Sequence, residues 1–290
     1  MLYRQGGQGC QKGFHSLVSI LFGACLLLGS CVNGNHEPTE AELSAFGEYV
    51  YSLDTLQLVH HLDSLIQADT TVWEGDKAVK EHYTQTKTLD GKPLWFSRMG
   101  VVSEADSVLA FLSSELTRNG LDSTAFYVPQ ISEDLSIVRH LSFDSLGVSI
   151  NEVLPRLDYY LTKAYVRYTS GQRYGFVRPD KHMNRLDFKP KGGYARLLGY
   201  EVGAPNYQEP LQKLSAEARA RMDYLHTSKP SSRLYRIFQE QLVKTTDQKA
   251  RHRLSVNMER CRWNMKQPEE NGRMVLVNIP ALHLWAVGGD

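Results

Sequence analysis

The sequence predicts a mainly α-helical protein with a short, hairpin-like β segment at its C-terminus. Through most of the chain, apolar residues recur every three or four positions, which places them on one face of a helix. From Val275 to Val287 the period changes to the partial alternation of β-strands, Pro280 interrupts the run, and Gly288 to Asp290 form a turn signal. We therefore expect a helical body followed by strands that open an incomplete, truncated β-rich domain.

Composition and charge fit one large or two modest folded units. The 290 residues are 42% hydrophobic and 22% charged with a net charge of +1, which argues against wholesale disorder. Residues 36–158 hold 8 basic and 20 acidic side chains, whereas residues 159–290 hold 23 basic and 12 acidic ones. Either the two halves neutralise each other by packing, or the basic half faces an anionic polymer. No nucleic-acid partner is expected, because no zinc-finger, RNP or helix-turn-helix pattern accompanies the basic residues.

Residues 1–31 predict a lipoprotein signal peptide. Arg4 and Lys12 precede an apolar run over residues 17–28, which has the length of a signal-peptide core and is short for a bilayer span. The run ends in the letters LGSC, in which small residues precede Cys31 as in a bacterial lipobox. We predict that Cys31 is lipidated and anchors the exported protein to a bacterial membrane, facing the periplasm. A plain signal peptide is the alternative, and Cys25 is a weaker lipid site because it lies inside the apolar run.

A tether and a helical domain are predicted next. Residues 32–43 are polar and suit a flexible tether, and residues 44–265 are assigned to an α-helical domain. Thr39 and Glu42 are spaced as a capping box for the first helix. The apolar face of that helix is predicted to comprise Leu43, Phe46, Val50, Leu53, Leu56, Leu62 and Leu65.

A second helical unit is predicted to begin near Val79. The triplet around Trp95 is apolar, so we interpret Trp95 as a core residue in preference to a sugar-stacking platform. In the helix that follows, Ser103 and Asp106 are expected to cap the start and Gly120 to supply the left-handed stop. The residues expected to pack are Val108, Leu109, Leu112 and Leu116.

The longest helix is predicted to start near Asn151, with Pro155 in its first turn and its charges opposite its apolar side. The apolar side comprises Leu154, Leu157, Leu161, Ala164, Tyr165 and Tyr168. The tyrosines between Tyr159 and Tyr200 fit a packed core whose hydroxyls reach solvent, which we favour, or a glycan-binding surface.

Three more helices are predicted, over residues 207–225, from Ser231, and from Thr245 to Trp263. Their helical spacing gives each of them one inward stripe. In order, the stripes are Leu211, Leu214, Ala218, Met222 and Leu225; Leu234, Ile237, Phe238 and Leu242; and Ala250, Leu254, Met258 and Cys261.

No catalytic site, metal site or cofactor is predicted. Beyond the signal peptide only Cys261 remains, so neither an internal disulfide nor a cysteine–histidine zinc pattern is available. Arg260 and Arg262 flank its thiol, but no histidine is placed to act as a base, so a packing cysteine is favoured over a nucleophile. His60 and His61 point about 100° apart on a helix and make a poor metal pair, so they are expected at the surface or partly packed.

Several stretches resemble periplasmic L,D-transpeptidases that carry an α-helical scaffold domain. These stretches are KPLWFSRMG, ADSVLAFLSSELTRNGLDS, RLDYYLTKAYVRYTSGQRYGFVRP, and NMERCRW followed by VLVNIPALHLW. The last pair resembles the junction between the scaffold and the catalytic domain, and the resemblance covers about residues 75–290. In that family a cysteine in a Ser-His-Gly-Cys signature attacks a peptidoglycan stem peptide, and this signature is missing here. The resemblance implies that residues 272–290 are the first strands of an incomplete catalytic domain.

The resemblance implies the N-terminal, scaffold part of a lipid-anchored L,D-transpeptidase that forms or remodels peptidoglycan cross-links through a cysteine acyl-enzyme. The implied partners are peptidoglycan stem peptides and, through the lipid on Cys31, a membrane. Because the nucleophile is absent, we expect this chain alone to be inactive. The alternative is a complete, non-catalytic periplasmic lipoprotein that binds peptidoglycan or a cell-wall partner. An open apolar strand edge at the end of the chain favours the first hypothesis, since such edges aggregate.

Overall fold

Eleven α-helices, a 3-10 helix at Ser123–Phe126 and two β-hairpins make up the described part of the chain. The computed structural model describes residues 53–85, 93–97, 100–182, 202–263, 274–278 and 281–287, all within a unit spanning Thr39–Asp290. The helices are α1 (Thr55–Ala68), α2 (Glu74–Gln85), α3 (Glu104–Arg118), α4 (Val128–Arg139), α5 (Phe143–Leu146), α6 (Ile150–Tyr174), α7 (Pro179–His182), α8 (Gln208–Leu214), α9 (Ala218–Thr227), α10 (Arg233–Lys244) and α11 (Gln248–Arg262). The strands are β1 (Phe96–Ser97), β2 (Gly100–Val101), β3 (Met274–Asn278) and β4 (His283–Val287). The predicted mainly α-helical fold class is confirmed.

The long helix α6 lies at the centre of the fold. It packs against α1, α2, α4, α8, α9 and α11. The Ser149 side chain caps its start by accepting a hydrogen bond from the Asn151 backbone N–H, and the chain leaves it at Gly175, whose φ is +84°. Pro155 lies inside the helix, not in its first turn as predicted. Because other helices pack around it, α6 is the element on which the rest of the helical body is assembled.

The polar residues of α6 are not confined to a solvent-facing side, and here the sequence prediction was wrong. Asp158 and Lys163 are only 2% and 1% exposed. They are buried because neighbouring helices surround α6, so its charged residues must find partners inside the protein. The predicted apolar residues of α6 are buried as expected.

The predicted continuity of the first helix through Leu53 and Leu56 was also wrong. Asp54 has an extended backbone and accepts hydrogen bonds from the Leu56 and Gln57 N–H groups, so a new helix begins at Thr55. This start leaves Leu56 81% exposed and puts Leu58 in the core instead. The predicted capping box at Thr39, like the signal peptide, Cys31 and the tether, lies outside the described residues.

The helix predicted after Trp95 is confirmed as α3, but its proposed cap is not. Ser103 makes no capping hydrogen bond, and Asp106 forms an ion pair with Arg139 of α4 instead. The stop is as predicted, because Gly120 has a φ of +67°.

The region predicted as one helix over residues 207–225 forms two, α8 and α9. Glu217 has an extended backbone at the start of α9, which breaks the helical path. Leu211, Leu214 and Leu225 are nevertheless buried as predicted.

Helices α10 and α11 pack against each other around a small core of their own. This core consists of the buried Tyr235, Leu242 and Met258, flanked by the partly buried Phe238, Leu254 and Cys261. The stripe predicted for α11 is therefore correct, whereas α10 is turned by about one position. Its inward stripe is Tyr235, Phe238 and Leu242, and the predicted Leu234 and Ile237 are exposed. The neighbouring face of α10 contains Leu234 and Ile237 but continues to the polar Gln241. Turning that face inward would bury fewer apolar side chains than the face with Tyr235, Phe238 and Leu242.

Two antiparallel hairpins complete the described structure. The short β1–β2 pair aligns Phe96 with Val101, and the predicted C-terminal strands form β3–β4, in which Val277 pairs with Leu284 and Leu276 with Trp285. Among the described helices, none has both the length and the apolar character that crossing a bilayer requires.

Candidate functional site

A buried group of charged and hydroxyl-bearing side chains lies where α6 meets the end of α1 and the start of α2. We name it the α6 ion cluster, formed by Asp69, Thr71, Asp76, Tyr159, Lys163 and Arg167. Lys163 Nζ lies 2.5 Å from Asp69 Oδ2 and 3.7 Å from Asp76 Oδ2. Arg167 Nη2 donates to Asp76 Oδ2 at 2.8 Å. Lys163 and Arg167 therefore face two carboxylates in the interior, and Lys80 Nζ lies 3.8 Å from Asp69 Oδ1. These pairings limit the cost of burying each charge.

Asp69 is the most heavily hydrogen-bonded member of the α6 ion cluster. Besides Lys163, Tyr159 Oη donates to it at 2.7 Å, and Thr71 donates through its backbone N at 2.9 Å and its hydroxyl at 2.7 Å. Burial alone would raise the pKa of Asp69, but these donors outweigh it and hold that pKa well below its usual range. Burial likewise opposes the charged form of Lys163, yet the two carboxylates raise its pKa above the ordinary lysine value. The pair is thus a fixed ion pair and is not poised to exchange protons near neutral pH.

Tyr127 covers the α6 ion cluster with its ring. Its ring centroid lies 4.8 Å from Lys163 Nζ, and the ring stacks on Tyr160 at a centroid distance of 4.7 Å and an interplanar angle of 8°. The Tyr127 backbone has a φ of +56°, a left-handed conformation that costs a non-glycine residue about 1 kcal/mol or more. The ring contacts with a cation and a second tyrosine offset that strain.

A second buried polar site joins α6 to α2 and to the segment before β1. Tyr83 Oη donates to Asp158 Oδ2 at 2.5 Å, and the Trp95 backbone N donates to Asp158 Oδ1 at 2.7 Å. The Trp95 indole N–H donates to Thr162 Oγ1 at 3.0 Å. Complete burial raises the pKa of Asp158 to about 6, although these donors partly counteract it. Trp95 is fully buried here, so it is a core residue as predicted.

A third polar group fixes the last turn of α11, just before the region that leads to the hairpin. We name it the α11 anchor, formed by Asn119, Gln172, Tyr235, Glu259 and Arg262. Arg262 is 3% exposed. Its guanidinium donates to Gln172 Oε1 at 3.0 Å, to the Asn119 backbone O at 3.1 Å and to Tyr235 Oη at 3.1 Å. One side chain thereby ties the end of α11 to α6, α10 and the end of α3.

The backbone leaving α6 passes close to the α11 anchor. Glu259 Oε1 accepts hydrogen bonds from the Val177 backbone N at 2.8 Å and from Trp263 Nε1 at 3.3 Å. A Cβ added at Gly175 would lie 2.6 Å from Trp263 Cδ1 and 2.9 Å from Glu259 Oε1. Position 175 is therefore restricted to glycine by close approach as well as by its positive φ.

The β3–β4 hairpin exposes apolar side chains. Val275 and Val277 share one face with Leu284, because cross-strand partners and alternate residues point the same way. On the opposite face Trp285 stacks on His283 with ring centroids 5.7 Å apart. Within the described residues, β3 and β4 pair only with each other. Apolar side chains on both faces are typical of strands in the interior of a sheet.

The structure also shows the surroundings of the cysteine, tyrosines and histidines that the sequence singled out. Cys261 is half-buried against the α10–α11 core, and burial raises the pKa of its thiol, which disfavours the thiolate. Among the tyrosines of α6, Tyr159, Tyr165 and Tyr168 are buried, which favours the core interpretation over a glycan-binding surface for that helix. The expectation that their hydroxyls reach solvent was wrong, because all three side chains are 0% exposed. His60 is exposed and His61 partly packed, as expected. In the described ranges, no group of three or more His, Cys, Asp or Glu is arranged to bind a metal ion.

The three polar groups suit holding elements together more than performing chemistry. Their donors and acceptors are largely directed at one another, which is how buried polar networks fix one arrangement of a core. Asp158 and Lys163 were missed because the charges of α6 were assigned to the side opposite its apolar residues. Arg262 was missed because it was considered only as a neighbour of the Cys261 thiol. The available signal was the width of the apolar arc on α6, since a helix that is apolar on most sides is buried.

Comparison with known families gives the helical body its assignment. A family model described as Scaffold domain matches residues 77–242, more than half of the chain. The chain belongs to the Scaffold domain family. No curated protein and no solved structure matches it. The Scaffold domain match starts in α2 and ends in α10, so Lys163 and Tyr235 lie inside it, whereas Asp69 precedes it and Arg262 follows it.

Proposed function

We propose that this chain is the scaffold part of a lipid-anchored L,D-transpeptidase that forms or remodels peptidoglycan cross-links through a cysteine acyl-enzyme. The supporting observation is the order of its parts, in which a Scaffold domain and a fixed α11 precede a hairpin with apolar side chains on both faces. The Ser-His-Gly-Cys signature is not in this sequence. The helical body would therefore position a catalytic sheet and would not itself react.

The α11 anchor supports a positioning role. A scaffold must hand over the chain at a fixed point and in a fixed direction, because catalytic geometry tolerates little displacement. Arg262 and Glu259 fix the last turn of α11 to three other parts of the body through charged hydrogen bonds, those of Arg262 being buried. Such bonds are among the stronger polar contacts in proteins.

The two-faced hairpin supports a sheet beyond β3 and β4. An exposed, apolar, unpaired strand edge is a liability that folded proteins cover. In this proposal the covering elements are further strands of the catalytic domain. Peptidoglycan stem peptides are the proposed substrate, and lipid on Cys31 is proposed to hold the protein to a membrane on the periplasmic side.

Sequencing the gene past codon 290 tests the proposal. We expect a continuing reading frame that encodes Ser-His-Gly-Cys, because that cysteine is the nucleophile the proposal requires. The protein expressed from the longer frame should form a covalent adduct with a carbapenem, detected by intact-mass spectrometry, and replacing that cysteine with alanine should abolish the adduct. A stop directly after codon 290 would contradict the proposal.

The matched control is the present chain without its signal peptide, residues 32–290. We expect no carbapenem adduct and no thiol-dependent transpeptidation from it, since Cys261 is half-buried with a raised pKa. An adduct on Cys261 would contradict our view of that residue. If the frame stops, the alternative of a non-catalytic lipoprotein becomes the better account, and co-sedimentation with insoluble peptidoglycan would test it.

A further inference from the structure

The outer surface of the α10–α11 pair is strongly basic. Two exposed carboxylates, Glu240 and Asp247, accompany six exposed cations. The exposed cations are Arg233, Arg236, Lys244, Lys249, Arg253 and Arg260. Among the described residues, none of these six forms an ion pair. We name these six cations and the exposed aliphatic residues between them the basic face.

Exposed aliphatic side chains interrupt the charges of the basic face. Leu234 is 53% exposed and Ile237 40% exposed. With Lys244 they lie at helical spacing along one side of α10, next to the inward stripe. The partly buried Phe238 and Leu254 line the adjacent seam between α10 and α11. Two exposed aliphatic side chains near the start of α10 therefore lie among the cations of the basic face.

We propose that the basic face lies on an anionic phospholipid surface, with its arginine and lysine groups at the headgroups and Leu234 and Ile237 at the acyl boundary. A basic surface that contains exposed aliphatic residues is the pattern of interfacial helices. Single-stranded nucleic acids and glycans favour exposed aromatic platforms, whereas Tyr235 of α10 is buried and Phe238 half-buried. Charge complementarity and aliphatic exposure together thus favour lipid. This inference does not depend on the proposed transpeptidase.

Tryptophan quenching in the full-length chain tests where the basic face lies. Ile237→Trp introduces a reporter on it, and Leu146→Trp is the matched control because Leu146 is 59% exposed and lies beside Asp144. Both variants keep the native tryptophans, and the signal peptide acts equally in both. Each is mixed with vesicles of brominated phosphatidylglycerol and phosphatidylcholine, or of brominated phosphatidylcholine alone. We expect additional quenching for Ile237→Trp in the anionic vesicles only.

Charge reversal separates electrostatic attraction from chance contact. In the Ile237→Trp background, Arg233→Glu with Arg253→Glu should lower the affinity for anionic vesicles, measured as the lipid concentration that gives half-maximal quenching, by about fivefold or more per charge. Lys213→Glu with Arg219→Glu, two exposed cations outside the basic face, should leave it unchanged. Circular dichroism checks that all variants fold.

Three outcomes overturn the proposal. Equal quenching of Ile237→Trp and Leu146→Trp shows that the basic face has no special proximity to lipid. Equal quenching in anionic and neutral vesicles shows that charge does not direct it. Absence of quenching, together with charge-dependent co-sedimentation with insoluble peptidoglycan, assigns the basic face to the wall polymer instead.

Discussion

Single residues in the core of this protein carry charge that is retained only because of their partners. Lys163 meets Asp69 at 2.5 Å and Asp76 at 3.7 Å in an almost fully buried setting. A buried ion pair adds little net stability over a well-packed apolar pair, but removing one partner leaves the other charge uncompensated. Replacing one member of the pair should therefore lower stability strongly, and replacing the second member as well should restore part of the loss.

Lys163→Met should destabilise the protein by about 3–5 kcal/mol, because it leaves both carboxylates short of one cation in the core. Urea unfolding followed by circular dichroism measures the change. Lys77→Met, at an exposed position of α2, should change stability by less than about 0.5 kcal/mol. The double variant Lys163→Met with Asp69→Asn should recover part of the loss. Additive losses in the double variant would contradict a coupled pair.

Asp158 should make stability depend on pH in a direction unusual for a carboxylate. Its pKa in the folded state is about 6, above the unfolded value, so the folded state binds the proton more tightly. The contribution of Asp158 to the free energy of unfolding is therefore greatest below about pH 4. It falls by on the order of 3 kcal/mol as the pH rises to about 6. Asp158→Asn should lack this fall, which unfolding free energies measured at several pH values will show. Asp144→Asn, at an exposed site, is the control, and parallel curves for wild type and Asp158→Asn would refute the assignment.

At the scale of elements, α11 depends on its last turn. Arg262 reaches Asn119 at the end of α3, Gln172 on α6 and Tyr235 on α10. The α10–α11 pair otherwise has only a small core of its own. The α11 anchor is therefore expected to decide whether this pair stays docked on the body.

Arg262→Ala should cost about 3 kcal/mol, because it leaves several buried acceptors without their donor. The loss should be local. Hydrogen exchange should speed up in α10 and α11 while α6 keeps its protection, since locally weak units open separately. Arg253→Ala, which removes an exposed arginine from the same helix, should leave exchange unchanged. Uniformly faster exchange across α6 would show that the effect is global and the local interpretation wrong.

The spacing of apolar residues in the sequence was enough to predict the elements that bury only one face. Helix α3 with its Gly120 stop, the inward stripe of α11 and the C-terminal strands all follow from local periodicity, and the structure has them. The side of a helix that faces a neighbour is not local information. The rotation of α10 and the burial of Lys163 depend on elements distant in sequence, so spacing could not predict them. For the same reason the polar groups around Lys163, Asp158 and Arg262 were not found.

At the scale of the whole molecule, the folding unit is larger than the Scaffold domain match. The match covers residues 77–242, but Asp69, which neutralises Lys163, lies before it. Arg262, which holds Tyr235 and Gln172, lies after it. Asp69 and Arg262 are thus partners of buried groups that lie within the matched range. A chain limited to residues 77–242 would keep those buried groups and lose both partners.

A chain limited to residues 77–242 should fail to unfold cooperatively, because Lys163 would be buried without Asp69 or Asp76 and the α10 core would lack Met258. A chain of residues 53–263 should show a single thermal transition and native-like circular dichroism. Scanning calorimetry compares the two. Equal cooperativity in both chains would show that the flanking residues are dispensable.

The order of synthesis matters for the β3–β4 hairpin, because its strands emerge from the ribosome after every described helix. Chains whose strand edges are still unpaired when they leave the ribosome tend to associate edge to edge with neighbouring copies. Val275, Val277 and Leu284, which are exposed in the folded chain, therefore become available to such neighbours only after the helical body has been synthesised.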